Sequence, residues 1–205
     1  MSTPARSLVV PSPTCRTRVL MQAILALSAV LWCGLAVNPV GAAMTVVGEP
    51  AGDFRLTDLQ GRAVHLQQLL EDRAALVVFS SVGCIPCEES APAVQRVAER
   101  FADRLEVLCV MLSEPTMVRH WLATGARYPG VRILVGADGS TPYATAREYG
   151  VLGTPTAFLI GQDGSVQWRH VGRITAEQLD GVLPGILAAA GADTGNALVA
   201  HRGEP

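Results

Sequence analysis

The sequence predicts an α/β protein with a central mixed β-sheet and helices on both of its faces. Two unbroken apolar runs of strand length, residues 76–80 and 105–112, are typical of central strands covered on both sides. The segment between them has apolar residues at helical spacing, so the three elements form a βαβ crossover. A predicted hairpin, residues 156–160 and 166–171, follows later and is itself followed by a helix. This order places parallel and antiparallel strands in one sheet.

The remaining strands are short and are separated by turn residues. Residues 54–56 and 64–66 are predicted as the first two strands, with a turn at 58–62 between them. Residues 132–135 form another short strand, and Asp163-Gly164 lies in the turn of the hairpin.

Local start signals support the predicted helices, which span residues 87–101, 115–123, 142–150 and 176–190. Ser113 and Thr141 each lie shortly before a proline, an arrangement that favours a helix start. Thr175 and Gln178 have the spacing of a capping box. After the last helix, residues 191–205 are small and polar, and a disordered tail is expected there.

Composition limits the classes of function. The chain has 205 residues, enough for one domain with extensions, and 49% of them are hydrophobic, which is ample for a core. A net charge of −2 and the absence of charge blocks give no case for nucleic-acid binding. Five cysteines with one close pair do not form a structural disulfide framework.

The N-terminal segment has the features of an export signal. It begins with the arginines Arg6, Arg16 and Arg18. An apolar run follows at 19–37, and small residues suited to cleavage end the segment at Ala42 and Ala43. The run is also just long enough to span a bilayer, so an uncleaved anchor is the alternative. The predicted organisation is a signal or anchor at 1–43, an exported domain at 44–190 and a tail at 191–205.

The motif with the clearest chemical meaning is Cys84-Ile85-Pro86-Cys87. It lies where a central strand turns into a helix, at the strand's carboxyl end, where open α/β sheets usually carry their sites. The helix N-terminus would stabilise a thiolate at Cys84, and Pro86 fits the helix start because its missing N–H needs no partner there. Cys84 would attack a substrate disulfide, and Cys87 would resolve the mixed disulfide; the reverse sequence donates a disulfide.

The cysteine pair allows two other interpretations. Half of a zinc site needs a second pair of ligands, but the histidines are single and scattered, at positions 65, 120, 170 and 201. No metal and no other cofactor is therefore expected. A purely structural disulfide is the other alternative, although a ring this small at a helix start is rarely built for stability alone. Cys109, in the middle of a strand, is expected to be a buried free thiol.

Several segments together resemble a known family. They are residues 48–61, residues 77–79 before the cysteine motif, Pro92, residues 149–160 with Gly153-Thr154-Pro155-Thr156, and Asp163-Gly164. In order and spacing they resemble the thioredoxin-like superfamily over residues 47–190. The similarity is greatest to its exported TlpA-like branch of thiol–disulfide oxidoreductases, which includes cytochrome c maturation proteins.

The resemblance implies a thioredoxin-like fold and a particular site. Cys84 is the implied nucleophile and Cys87 the resolving thiol, which together form the redox-active disulfide. A cis peptide before Pro155 would place that loop against the cysteines, and the Thr154 backbone would pair with a bound substrate strand. Ile85 and Pro86 complete the expected substrate-binding residues.

The expected setting follows from the resemblance and the N-terminal segment. The protein would act in the bacterial periplasm or on the extracytoplasmic side of the inner membrane. Its partners would be a protein thiol or disulfide and a membrane or soluble redox protein. No nucleic acid is expected, membrane contact would involve only the N-terminal segment, and a monomer is expected.

The sequence also departs from the family. The buried aspartate of thioredoxins is replaced by Val78, the glutamate of many TlpA-like proteins by Ser90, and the tryptophan before the first cysteine by Gly83. The usual proton-relay carboxylate is thus missing. Glu88 and Glu89 are interpreted as charges that complement the helix N-terminus.

Three alternatives remain open from the sequence. The segment 79–84 is similar to thioredoxin-like proteins that mature methylamine dehydrogenase. A thiol peroxidase is disfavoured, because Val77 replaces the upstream proline of peroxiredoxins, although Ser81 matches their Thr/Ser position. A non-catalytic binding module on the same fold is the third alternative.

Overall fold

The structure, a computed structural model, describes residues 45–125, 128–136 and 141–199. The predicted signal or anchor at 1–43, with its apolar run 19–37, lies outside the described residues. Within the described ranges, no helix combines the length and apolar character needed to cross a membrane.

Strands and helices alternate along this part of the chain. The strands are β1 Arg55–Asp58, β2 Ala63–His65, β3 Ala74–Ser80, β4 Leu105–Met111, β5 Val131–Val135, β6 Thr156–Ile160 and β7 Val166–Val171. The helices are α1 Leu66–Leu70, α2 Ile85–Arg100, α3 Pro115–Ala123, α4 Pro142–Glu148 and α5 Ala176–Val199.

The strands form one mixed sheet in the order β2-β1-β5-β4-β3-β6-β7. The pairs β3–β4 and β4–β5 are parallel, whereas β6 is antiparallel to both β3 and β7. β3 is buried along its whole length, because it lies between β4 and β6 and is covered on both faces. The cysteine motif follows the carboxyl end of β3. It lies among the loops at that end of the strands.

Two layers of helices cover the sheet. On one face α1 and α4 pack over a core that includes Phe79, Tyr149 and Phe158, whose rings contact one another. On the other face α2 and α5 pack over the alternate residues of β3 and β6, while α3 covers the neighbouring part of β4 and β5. Residues 76–79 of β3 alternate between the two faces, which is why the run is apolar without interruption.

The predicted α/β fold with helices on both faces is confirmed, with four local corrections. Leu66 begins the short helix α1 instead of ending a strand, and five residues are too few to show helical periodicity in the sequence. Ser113 does not cap α3, since the N-cap is Glu114 and the Ser113 hydroxyl accepts a hydrogen bond from the Val82 N–H. The motif helix begins at Ile85, two residues earlier than predicted.

The fourth correction concerns the last helix. α5 extends to Val199, whereas the sequence analysis ended it near Ala190 and expected a disordered tail from 191. The segment around this end is rich in alanine, the residue with the highest helix propensity, which favours continuation past Gly191. Residues 200–205 lie outside the described part of the chain.

Candidate active site

Cys84 and Cys87 form a disulfide at the junction of β3 and α2. The two Sγ atoms are 2.07 Å apart and the Cα atoms 5.2 Å apart. Gly83 has a φ of 77°, a conformation that residues with a side chain rarely adopt, and it turns the chain out of the sheet. Cys84 is the N-cap of α2, and its Sγ accepts a hydrogen bond from the Cys87 N–H at 3.3 Å.

The two sulfur-bearing residues differ in exposure. Cys84 is half-buried, whereas Cys87 is only 8% exposed and lies within the first turn of α2. Pro86 is also half-buried, and Ile85 is 69% exposed beside them. A partner molecule can therefore reach Cys84 far more easily than Cys87.

A loop from the other end of the chain packs against Cys84. The Thr154–Pro155 peptide bond is cis, as the sequence analysis expected, and it directly precedes β6. The Thr154 carbonyl oxygen is 3.5 Å from Cys84 Sγ, close enough to accept a hydrogen bond from the Cys84 thiol in the reduced state. The Thr154 hydroxyl is 3.1 Å from that of Ser81.

The contact of Ser81 with Thr154 was not identified from the sequence. In the sequence, Ser81 is distinguished only by its position before Cys84. It is separated from Thr154 by 73 positions, so no local pattern relates the two residues. The pairing depends on β3 and β6 being neighbours with Phe79 opposite Thr156, which no local pattern indicates. Ser81 therefore joins the two loops on either side of the disulfide.

Among the residues that the structure describes, no carboxylate lines the space behind Cys87. A small cavity of about 20 Å³, room for a single water, lies there and is lined by Val78 and Ser90 among others. Ser90, where the family often has glutamate, donates a hydrogen bond to the Pro86 carbonyl at 2.6 Å and accepts one from the Ile174 N–H at 2.9 Å. Its hydroxyl thus holds the start of α2 to the loop between β7 and α5.

The acidic residues nearest the motif point outward. Glu88 and Glu89 are both exposed, and Glu89 lies 3.8 Å from the guanidinium of Arg173. This position agrees with the interpretation of these residues as charges at a helix N-terminus.

Two weak acids border the same cavity and stay neutral. Cys109 is a buried free thiol, as predicted, and burial raises its pKa to about 12. Burial also raises the pKa of Tyr128 to about 12, with the nearby Cys109 and Glu88 acting in the same direction. Neither group carries charge at neutral pH, so neither opposes the formation of a thiolate at Cys87.

A metal site is not indicated in the described ranges, where no group of three or more His, Cys, Asp or Glu side chains could hold an ion. The predicted site residues Cys84, Ile85, Pro86 and Cys87 lie together on one turn. Thr154 and Pro155 come together with them through the cis-proline loop.

Comparisons with known proteins identify a family and similar folds. A family model described as the AhpC/TSA family matches residues 47–169. The thiol-disulfide oxidoreductase ResA of Bacillus anthracis is 29% identical over 139 residues, which cover 67% of this chain and 76% of that protein. The thioredoxin-like protein YneN of Bacillus subtilis is 28% identical over 138 residues, covering 65% and 76%. The crystal structure of a thio-disulfide isomerase from Thermus thermophilus matches with a TM-score of 0.57 and 28% identity, covering 67% of this chain and 95% of that one.

Proposed function

Because this chain belongs to the AhpC/TSA family and has the thioredoxin-like fold that its sequence predicts, we propose that it is a thiol–disulfide oxidoreductase of exported proteins. The observation that carries the proposal is the Cys84–Cys87 disulfide at the N-terminus of α2, against the cis-proline loop. The name of the ResA relatives supports the same activity.

In the reducing direction, Cys84 is the nucleophile. Its thiolate, stabilised by the N–H groups of α2, attacks one sulfur of a client disulfide and releases the other client sulfur as a thiolate. Cys87 then loses its proton and attacks Cys84 Sγ. This closes the protein disulfide and releases the second client thiolate, so the client gains the two electrons that the dithiol loses.

The oxidising direction uses the same residues in reverse. A client thiolate attacks Cys84 Sγ, the more exposed sulfur, and Cys87 leaves as a thiolate. A second client thiolate then displaces Cys84. The reduction potential of the pair, measured against glutathione, decides which direction dominates.

The client segment is proposed to bind as an extended strand along the cis-proline loop. Thr154 offers its backbone for pairing, and Pro155, Ile85 and Pro86 shape the groove around the disulfide. The exposed side chain of Ile85 supports this placement, because it gives a client an apolar surface beside Cys84.

The cellular setting remains part of the proposal. The arginines and apolar run at 1–43 support export to the periplasm or anchoring to the inner membrane by residues 19–37, with the catalytic domain at 44–190 outside. Cytochrome c maturation is the proposed pathway, and maturation of methylamine dehydrogenase is the alternative within the same activity. A membrane or soluble redox protein would restore the active-site pair.

Thiol peroxidase activity has weaker support. Val77 stands at the position of the upstream proline of peroxiredoxins. It is wholly buried inside β3. A purely non-catalytic module is disfavoured because Cys84 is accessible to a client and is paired with Cys87 in a disulfide.

The test is to trap the mixed disulfide. We expect Cys87→Ala to accumulate a covalent adduct with a disulfide-containing client, because no thiol remains to resolve it. Non-reducing electrophoresis and mass mapping would locate the adduct on Cys84. Cys84→Ala is the matched control and should form no such adduct. Failure of Cys87→Ala to form any adduct would contradict exchange catalysis.

A further inference from the structure

A cleft of about 520 Å³ lies beside the cis-proline loop. Its walls come from three separate parts of the chain: the residue after β3, the residue after β4, and helix α4 with the loop that leads to β6. These lining residues include Ser81, Leu112, Tyr143, Arg147, Leu152 and Thr154. Thr154 connects the cleft to the disulfide. This residue lines the cleft, and its carbonyl oxygen is 3.5 Å from Cys84 Sγ.

The rim of the cleft exposes large apolar side chains. Leu152 is 93% exposed and Tyr143 is 63% exposed. Among the residues that the structure describes, nothing covers either side chain. A bound chain would remove this apolar surface from water.

The described lining of the cleft also carries an unpaired charge. Arg147 lies one helical turn after Tyr143, on the face of α4 that lines the cleft, and among the residues that the structure describes it is the one charged residue in the lining. It is exposed and forms no ion pair with any residue in the described ranges. Glu148 follows it on the helix but does not line the cleft. The cleft is therefore complementary to a negative charge.

We propose that this cleft selects the client, and that Arg147 recognises a carboxylate close in sequence to the client's reactive cysteine. The proposal rests on the proposed function. The preferred client segment is extended, carries a large apolar side chain against Leu152 and Tyr143, and has an Asp or Glu within reach of Arg147. An extended chain advances about 3.3–3.6 Å per residue, so moving the carboxylate by one residue changes its distance from the cysteine by about that length.

The test uses single-cysteine peptides and the 205-residue chain in a Cys15→Ser, Cys33→Ser, Cys87→Ala background. Each peptide carries thionitrobenzoate on its cysteine through a disulfide. The Cys84 thiolate attacks the peptide sulfur, the S–S bond to thionitrobenzoate breaks, and the coloured thiolate leaves with the electron pair. Every peptide has a leucine beside the cysteine. One further position carries Glu, Gln or Lys, and this position is moved one residue at a time along both sides of the cysteine.

We expect the Glu peptide to react about three- to tenfold faster than the Gln peptide at its best position, and the difference to shrink as salt increases. Arg147→Glu should invert the order, so that the Lys peptide reacts fastest. The matched control is Arg55→Glu, which makes the same change of net charge at an exposed arginine on β1, outside the cleft. It should keep the parent's preference for Glu.

Each contrary outcome has a distinct meaning. Equal rates for the three peptides, or a Glu preference that persists in Arg147→Glu, would overturn the client selection while leaving disulfide exchange intact. Loss of the preference in Arg55→Glu would assign it to the net charge and overturn the role of Arg147. Dimerisation that depends on Arg147 in sedimentation would assign the cleft to a second copy. No thiolate release from any peptide would contradict the proposed function itself.

Discussion

Cys87 lies beside groups that stay protonated at neutral pH. Val78 and Ser90 occupy the positions where the family resemblance implied a carboxylate, and the cavity next to Cys87 is bordered instead by the thiol of Cys109 and the phenol of Tyr128. No described residue that borders this cavity therefore places a negative charge beside Cys87. The sequence revealed the missing carboxylates, but it could not reveal Tyr128 as a neighbour, because that contact depends on how the end of α3 meets β5.

Cys109 should make folding stability fall in alkaline solution. In the unfolded chain this thiol has its ordinary pKa of 9.0, whereas burial raises the pKa to about 12 in the fold. The unfolded state then binds fewer protons than the folded one, so stability present below about pH 9 is lost as the pH rises towards about 12. Between about pH 8 and pH 10, the unfolding free energy in urea should drop by about 1 kcal/mol more for the parent than for Cys109→Ala.

The test compares how the unfolding free energies of the parent and of Cys109→Ala change with pH. Both proteins share every other titrating group, and Tyr128, whose pKa is raised to about 12 mainly by burial, stays protonated in the fold up to about pH 10, so the remaining pH dependence cancels over this range. Parallel curves would show that the Cys109 thiol ionises equally easily in the folded and unfolded states, which would contradict its burial.

At the scale of elements, the start of α2 is held by the loop between β7 and α5. Ser90 reaches across from the second turn of α2 to the backbone N–H of Ile174, and both residues are almost fully buried. This hydrogen bond fixes the helix that carries Cys87 against the loop that precedes the last helix.

Removing this contact should cost stability. Ser90→Ala leaves the buried Ile174 N–H without a partner, and we expect the free energy of unfolding of the oxidised protein to fall by about 2 kcal/mol in urea. Thr124→Ala removes an exposed hydroxyl that donates to the Trp121 carbonyl, so it should cost less than about 0.5 kcal/mol. Equal losses in the two variants would show that the contact does not stabilise the fold.

The elements that could be predicted from the sequence are those with strong local signals. β3, β4, β6 and β7 follow from apolar runs and a turn, and the capping box of α5 is formed as expected, with Gln178 and Thr175 hydrogen-bonded to each other's backbone. The short helix α1 and the far end of α5 were missed. The five residues of α1 are too few to show helical periodicity. The far end of α5 depends on the high helix propensity of alanine, but the glycine and polar residues in that segment favour a prediction of its end.

At the scale of the whole molecule, the sheet brings the site together. The cysteines lie at the end of β3, and the cis-proline loop lies at the start of its neighbour β6. The family resemblance implied this pairing, and the structure bears it out for the loop and the disulfide. The cleft with Arg147 was not predicted, because its walls come from segments far apart in the chain that meet only through the order of the strands.

The most direct test of the account is the catalysed reduction of a protein disulfide, measured as turnover with a small dithiol as the electron source. The parent and Cys109→Ala should both accelerate the reaction above its uncatalysed rate. Cys84→Ala and Cys87→Ala should lose multiple turnover, since one lacks the attacking thiol and the other the resolving thiol. A parent rate equal to the uncatalysed rate, or full turnover in Cys84→Ala, would contradict the assignment of this protein as a thiol–disulfide oxidoreductase acting through Cys84.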